Sequence, residues 1–274
     1  MKLRLLVANS RGLAAAAVAA LALGIGITAL MFAIVDGAVR RGLPSARASE
    51  IVHLDRLPPP GGDGRTVFTL EERARAANTG ALSAVAGYRL AITNLSAPGV
   101  TPHRWAGAFV TADTFDILGV AAAQGRLFPP DAFIGGALPV IISDDAWRTQ
   151  FGGDRSAIGR AVHANGMPAV ITGVMPAGFR FPFNQHVWLP IDERAMTAPA
   201  ALWGRLAGGV GVAEAASRLS AVQDNDARVQ VAPFTRHIQG PQIVQLLDMM
   251  FLAGLGVLAI ACANVANLLL ARGL

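Results

Sequence analysis

The sequence is poor in the residues from which most chemistry is built. Its single cysteine, Cys262, excludes an intrachain disulfide, and because it lies inside an apolar run it does not report the redox compartment of the rest. Lys2 is the one lysine, so positive charge falls to arginines scattered along the chain. The net charge of +5 and the sequence pI near 10.8 therefore form no basic stripe interleaved with aromatics, and nucleic acid is not an expected partner.

Catalytic constellations are equally sparse. There is no G-x-S-x-G elbow, and no cysteine outside the apolar runs that could act as nucleophile. A Walker A loop, G-x-x-x-x-G-K-[ST], is absent, which excludes ATP hydrolysis by that route. His53, His103, His163, His186 and His237 are dispersed without H-x-x-x-H or C-x-x-C spacing, a pattern that reads each as a surface or satisfied polar residue rather than a metal ligand. Glu71 with Glu72 and Asp144 with Asp145 are adjacent, so on helices they point apart and serve the positive helix N-terminus. The expectation is a protein that is not an enzyme and carries no cofactor and no metal.

What the sequence has is apolar length. Residues 249–271, MMFLAGLGVLAIACANVANLLLA, carry no formal charge and at ~1.5 Å rise per residue cover the ~30 Å hydrocarbon core of a bilayer. A second run occupies residues 13–35. These two runs raise the mean hydropathy to +0.46, while residues 36–248 are of mixed composition and long enough for their own core. The expected plan is a cytoplasmic tail (1–12), a first transmembrane helix (13–35), an extracytoplasmic α+β domain of two subdomains (36–248), a second transmembrane helix (249–271) and a cytoplasmic end (272–274).

Lys2, Arg4 and Arg11 precede the first run without an acid, which keeps the N-terminus cytoplasmic and sends residues 36–248 outside. The run is about twice the length of a signal-peptide core of 7–15 residues, so it reads as an uncleaved anchor. Within it Ala22 with Gly26, and Gly24 with Thr28, make faces of small residues four apart where another helix can approach. The second run offers Gly254, Gly256, Ala259 and Ala263, then Asn264 and Asn267 on one face. An amide in hydrocarbon needs a partner, so these are candidates for helix packing.

Between the runs, local signals predict short elements. Thr69 with Glu72 forms a capping box that opens a helix through Ala77. Strands are expected over 51–54, 88–95, 104–110 and 138–142, with a helix over 111–118 closed by Gly119. Ser143 is the N-cap of a helix carrying Trp147 and Phe151, and Gly152-Gly153 ends it. Asn165-Gly166 between two strands is the strongest hairpin signal. Phe179, Phe181 and Phe183 form an aromatic wedge read as core. Strand 202–206, helix 212–222 and strand 228–231 make a β-α-β unit of ferredoxin-like type. A helix is expected to run from Gln242 straight into the second apolar run.

Several stretches taken together resemble a known family. They are ALGIGITALMFAIVDGAVRRGLP (22–44), FVTADTFDILGVAAAQGRLF (109–128), VIISDDAWRTQFGGDRSAIGRAV (140–162), ITGVMPAGFRFP (171–182) with VWLPI after it, and LAIACANVANLLLAR (258–272). The chain resembles the permeases of MacB-type ABC transporters. More narrowly it is similar to the acidobacterial duplicated orphan permease branch, which joins a MacB-like periplasmic core domain to FtsX-like membrane segments.

The resemblance implies a bacterial inner-membrane protein with a periplasmic domain of two α+β subdomains. It also implies a cytoplasmic ATPase partner, and work as a homodimer or with a second permease half. ATP-driven motion of the membrane helices would move the periplasmic domain, for export or mechanotransmission. Against the family pattern the sequence corresponds to an N-terminal portion, with the third and fourth helices outside it. Two other classes fit a two-span chain: a receptor whose outer domain senses a ligand, and a membrane-anchored enzyme.

Overall fold

A computed structural model describes residues 18, 22–33, 48–57, 67–129, 136–191, 200–223, 227–239 and 241–273. Two compact units divide the chain: Met1–Gly42 with Gln239–Leu274, and Leu43–Ile238.

In chain order the first unit contributes helix α1 (Ala22–Ala33). The second unit follows with β1 (Ile51–Leu57), α2 (Leu70–Ala77), β2 (Leu82–Ala97), β3 (Val100–Val110), α3 (Thr114–Leu118), β4 (Gln124–Gly125), β5 (Leu138–Ile142) and α4 (Asp144–Phe151). It continues with β6 (Ala161–Ala164), β7 (Met167–Val174), β8 (Val187–Pro190), β9 (Ala201–Leu206), α5 (Val212–Ser220), β10 (Arg228–Pro233) and α6 (Phe234–Gln239). Helix α7 (Pro241–Gly273) closes the described chain.

Local chemistry sets these boundaries. Thr69 Oγ1 accepts from the Glu72 amide while Glu72 Oε2 accepts from the Thr69 amide, satisfying two of the N–H groups left open at the start of α2. Ser143 caps α4 by accepting from Ala146, and Gly152 ends it in the left-handed conformation. Asn165 and Gly166 both take positive φ, 52° and 82°, as a two-residue turn matched to strand twist requires, and they join β6 to β7.

The strands build a ten-stranded sheet in the order β10-β1-β9-β2-β3-β8-β5-β7-β4, with β6 pairing β2 and β7. Strand β1 runs antiparallel to both β9 and β10, so β9-α5-β10 straddles it. The expected β-α-β unit is present as elements, split by β1. One continuous sheet runs through what the sequence reads as two subdomains, and three buried clusters line it.

The central cluster is aromatic, with Phe115, Phe179, Phe181, Trp188, Trp203 and Phe234 meeting at ring-centroid distances such as 5.2 Å for Phe179–Trp188 and 4.9 Å for Phe181–Trp203. Burying each such side chain contributes on the order of 1.5–3 kcal/mol. The aromatic wedge read from Phe179, Phe181 and Phe183 is thus part of the core.

Strand lengths depart from the sequence expectation. β2 extends over 16 residues rather than 88–95, and β3 begins at Val100 rather than Arg104. The six residues added ahead of the expected start, LSAVAG, are mostly small and show no alternation, yet Ala86 and Val85 are buried against β9. Helix α3 starts three residues late because Thr111 is held in a loop, its hydroxyl receiving the Gly87 amide.

Candidate functional site

Among the described residues, one group of ligand-type side chains converges, and it lies in the Leu43–Ile238 unit. Alternation along β1 places His53 and Asp55 on one face. Helix α6 adds His237, one turn beyond the fully buried Phe234 that anchors it in the aromatic core. Tyr88 comes from β2, across β9.

The geometry is tight. His53 Nδ1 lies 3.3 Å from Asp55 Oδ1, and His237 Nδ1 lies 3.6 Å from Asp55 Oδ2. The two imidazoles stack with centroids 3.3 Å apart and an interplanar angle of 7°. Tyr88 Oη sits 3.2 Å from His53 Nε2 and 3.4 Å from His237 Nε2. His53 is 2% exposed, and its Nδ1, though close to the carboxylate, lacks the alignment of a hydrogen bond and has no hydrogen-bond partner. A cleft of about 300 Å³ opens beside the group, lined by His53, Asp55, Tyr88, Arg89 and His237 among others.

Electrostatics follow from this packing. Burial lowers the proton affinity of His53 and the neighbouring His237 adds to that, while Asp55 opposes it. Burial pushes the Asp55 carboxyl upward, but its contacts with His237 and His53 outweigh that and hold it well below the usual carboxylate range. Burial, then the charge of Asp55, raises the Tyr88 phenol above its ordinary value. The neutral phenol and the carboxylate are therefore the stable forms at neutral pH.

The sequence reading missed this group. It searched for ligands spaced on one helix, whereas the signal is the i,i+2 pair His53-x-Asp55 on a strand, completed by a residue from the far end of the domain.

The sequence-derived candidates lie in the other unit. Gly24 and Gly254 are buried there, Thr28 is half-buried, and Ala22, Gly26, Gly256, Ala259, Ala263, Asn264 and Asn267 are exposed. Thr28 Oγ1 donates to the carbonyl of Gly24 at 2.8 Å and approaches that of Gly254 at 3.1 Å. A side chain at Gly24 would meet Leu258 at 3.4 Å and Ala261 at 3.7 Å. Phe32 meets Phe251 at a centroid distance of 6.4 Å. These contacts run in opposite senses along α1 and α7, so the helices are antiparallel. Met249–Asn267 within α7 is long and apolar enough to cross a bilayer, and Ala22–Ala33 is apolar but shorter. The remainder of the first expected span, 13–17, 19–21, 34 and 35, lies outside the described residues.

Residues 14–222 match the model of the MacB-like periplasmic core domain. The chain belongs to this family. Three solved structures share the fold. The extracellular domain of the noncanonical ABC-type transporter YknZ from Gram-positive bacteria aligns with TM-score 0.55 and 15% identity, over 66% of this chain and 99% of that one. The periplasmic region of MacB from Actinobacillus actinomycetemcomitans aligns with TM-score 0.53 and 14% identity, over 73% and 97%. A permease-protein domain from Porphyromonas gingivalis gives TM-score 0.54 and 15% identity, over 73% and 97%. No curated protein matches significantly. This is the fold of the extracellular domain of one ABC-type transporter and of the periplasmic region of MacB. Of the converging group, His53, Asp55 and Tyr88 fall inside the MacB-like match and His237 falls outside it.

Proposed function

We propose that this MacB-like chain is the permease subunit, or the N-terminal portion of one, in an ABC-type assembly that couples cytoplasmic ATP hydrolysis to motion of a periplasmic domain. In this reading the N-terminus is cytoplasmic and residues 36–248 are periplasmic, which the basic flank of the first apolar run supports. The β9-α5-β10 unit split around β1 is the nucleus of a ferredoxin-like subdomain.

The observation that carries this reading is the length of α7. Its 33 residues span about 50 Å, whereas the hydrocarbon core is about 30 Å thick, so the helix continues past the apolar segment Met249–Asn267 without a break. An unbroken helix of that length carries a tilt from one end to the other. Asn264 and Asn267 are exposed on it within hydrocarbon depth, and an amide there calls for another helix as partner. That partner belongs to a second copy of the chain or to a second permease half, reached also through Ala22, Gly26, Gly256, Ala259 and Ala263. Gly24, Thr28 and Gly254 hold the intrachain pair.

Mild-detergent purification of the chain from its native membrane, with mass spectrometry of what accompanies it, tests the proposal. Recovery of an ATP-hydrolysing subunit supports it. Recovery of the chain with its outer domain folded and no ATPase, even when crosslinked before extraction, overturns it.

A further inference from the structure

Asp55 and the three groups around it pose a counting problem. Two neutral imidazoles bring one N–H each, and the phenol of Tyr88 brings one O–H. Four close approaches compete for these hydrogens: Tyr88 Oη within 3.4 Å of each Nε2, and Asp55 within 3.6 Å of each Nδ1. With both protons on Nε2, Tyr88 accepts twice and two Nδ1 lone pairs face a carboxylate. With one on each kind of nitrogen, one Nδ1 lone pair still faces the carboxylate. With both on Nδ1, Tyr88 donates to only one of the two Nε2 lone pairs. Every neutral arrangement therefore leaves at least one of these approaches lone pair against lone pair. Solvent can serve His237, whose side chain is 26% exposed, but the Nδ1 atom of His53 is buried and has no hydrogen-bond partner.

The arrangement with both protons on Nε2 becomes the favoured one if a cation stands between the two Nδ1 atoms and the carboxylate. We propose that His53, Asp55 and His237 form a binding site for a divalent transition-metal ion of the Zn²⁺ class, with Tyr88 as the outer partner that fixes both imidazoles. The donor set is the right one: two neutral imidazole nitrogens and one carboxylate oxygen suit Zn²⁺ or Co²⁺, whereas Mg²⁺ and Ca²⁺ prefer oxygen alone. All three ligand atoms already lie within 4.8 Å of one another. Ligating imidazoles ordinarily donate their second N–H to an oxygen, and Tyr88 Oη stands where it receives both. The three side chains line the cleft, so the remaining coordination positions open toward a space that admits water or a small ligand.

Binding requires one movement. An imidazole ligates in its own plane, so the parallel rings must splay, and His237 at the rim has the room to swing. The ion would tie β1, the first strand of the outer domain, to α6, its last helix.

The test uses the full, untagged chain in detergent, with Co²⁺ as spectroscopic probe and Zn²⁺ as competitor. The expected result is one Co²⁺ per chain with the intense visible absorption of a low-coordinate site, displaced by Zn²⁺ and not by Mg²⁺. Asp55→Asn and His237→Ala, both at half-exposed positions, each weaken Co²⁺ binding at least tenfold. His103→Ala, at an exposed position away from the cleft, leaves it unchanged. Zn²⁺ also raises the thermal midpoint of the wild-type chain and not of Asp55→Asn, a readout that holds even if a variant is less stable. Absence of the spectrum, or a spectrum that survives in the Asp55→Asn/His237→Ala double variant, overturns the site, and the missing hydrogen is then supplied by a proton.

Discussion

Gln150 holds Trp105 by its side chain: the indole Nε1 donates to Gln150 Oε1 at 2.8 Å, and Gln150 Nε2 donates to the carbonyls of Leu95 at 2.8 Å and Thr101 at 3.1 Å. One amide on α4 thereby fastens both strands of the β2–β3 hairpin. Gln150→Ala leaves the largely buried indole N–H unpaired, which costs about 1–3 kcal/mol. Chemical denaturation of the full chain in detergent, followed by tryptophan fluorescence, checks this. An unchanged midpoint would remove Gln150 from the role of clamp.

Glu72 does two things at once. It closes the capping box of α2 and its Oε1 accepts from Arg56 Nη1 of β1 at 2.6 Å, with both side chains mostly shielded from water. Thr69→Ala is expected to cost about 1 kcal/mol, the ordinary loss of an N-cap. Glu72→Ala is expected to cost more, about 2–4 kcal/mol, because the Arg56 charge stays behind without its partner. Equal losses from the two substitutions would show that the ion pair adds nothing.

His186 makes the fold sensitive to acid. Its Nδ1 lies 3.0 Å from Ser143 Oγ, which accepts from Ala146 at the start of α4, and a neutral imidazole with its hydrogen on Nε2 lets that hydroxyl donate to Nδ1. Burial, then the Arg180 charge, holds its proton affinity below the ordinary value of 6.5. A lowered folded-state value means that the unfolded chain takes up protons first. The stabilisation is complete above pH 6.5 and is lost as pH falls from there toward the folded-state value. His186→Gln keeps an acceptor for Ser143 and removes the titration. The urea midpoint of wild type minus that of His186→Gln should therefore shrink between pH 7.5 and pH 5.5, and a constant difference would sink the assignment.

Thr28 bridges α1 and α7 through the carbonyls of Gly24 and Gly254. Interhelical hydrogen bonds of this kind in membranes contribute about 0.6 kcal/mol, and up to about 1.7. Thr28→Val preserves shape and removes the donor, so it should lower resistance to denaturing detergent by roughly that amount. Gly24→Leu, which drives a side chain into Leu258, should lower it further. If Gly24→Leu is neutral, the contact between the two helices is not formed in the membrane.

The elements whose signals are local were legible in the sequence. The capping box at Thr69 and Glu72, the Ser143 cap, the Gly119 and Gly152 stops and the Asn165-Gly166 turn each depend on a few adjacent residues, and each stands where those residues placed it. The first half of β2 was hidden because alanine and glycine carry no alternation, and its burial is decided by β9, more than a hundred residues later. The group around Asp55 was hidden for the same reason. His53 and Asp55 declare themselves only once β1 is known to be a strand with that face inward, and His237 joins them only through the packing of Phe234.

Strands β1 and β10 pair along their lengths, from Val52 opposite Pro233 to Leu57 opposite Arg228. Among the described residues, the Leu43–Ile238 unit therefore has its first and last strands side by side. A module built this way is portable: it can be grafted into a tight hairpin between two helices, exchanged for another, or excised and replaced by a short linker, without prying its host apart.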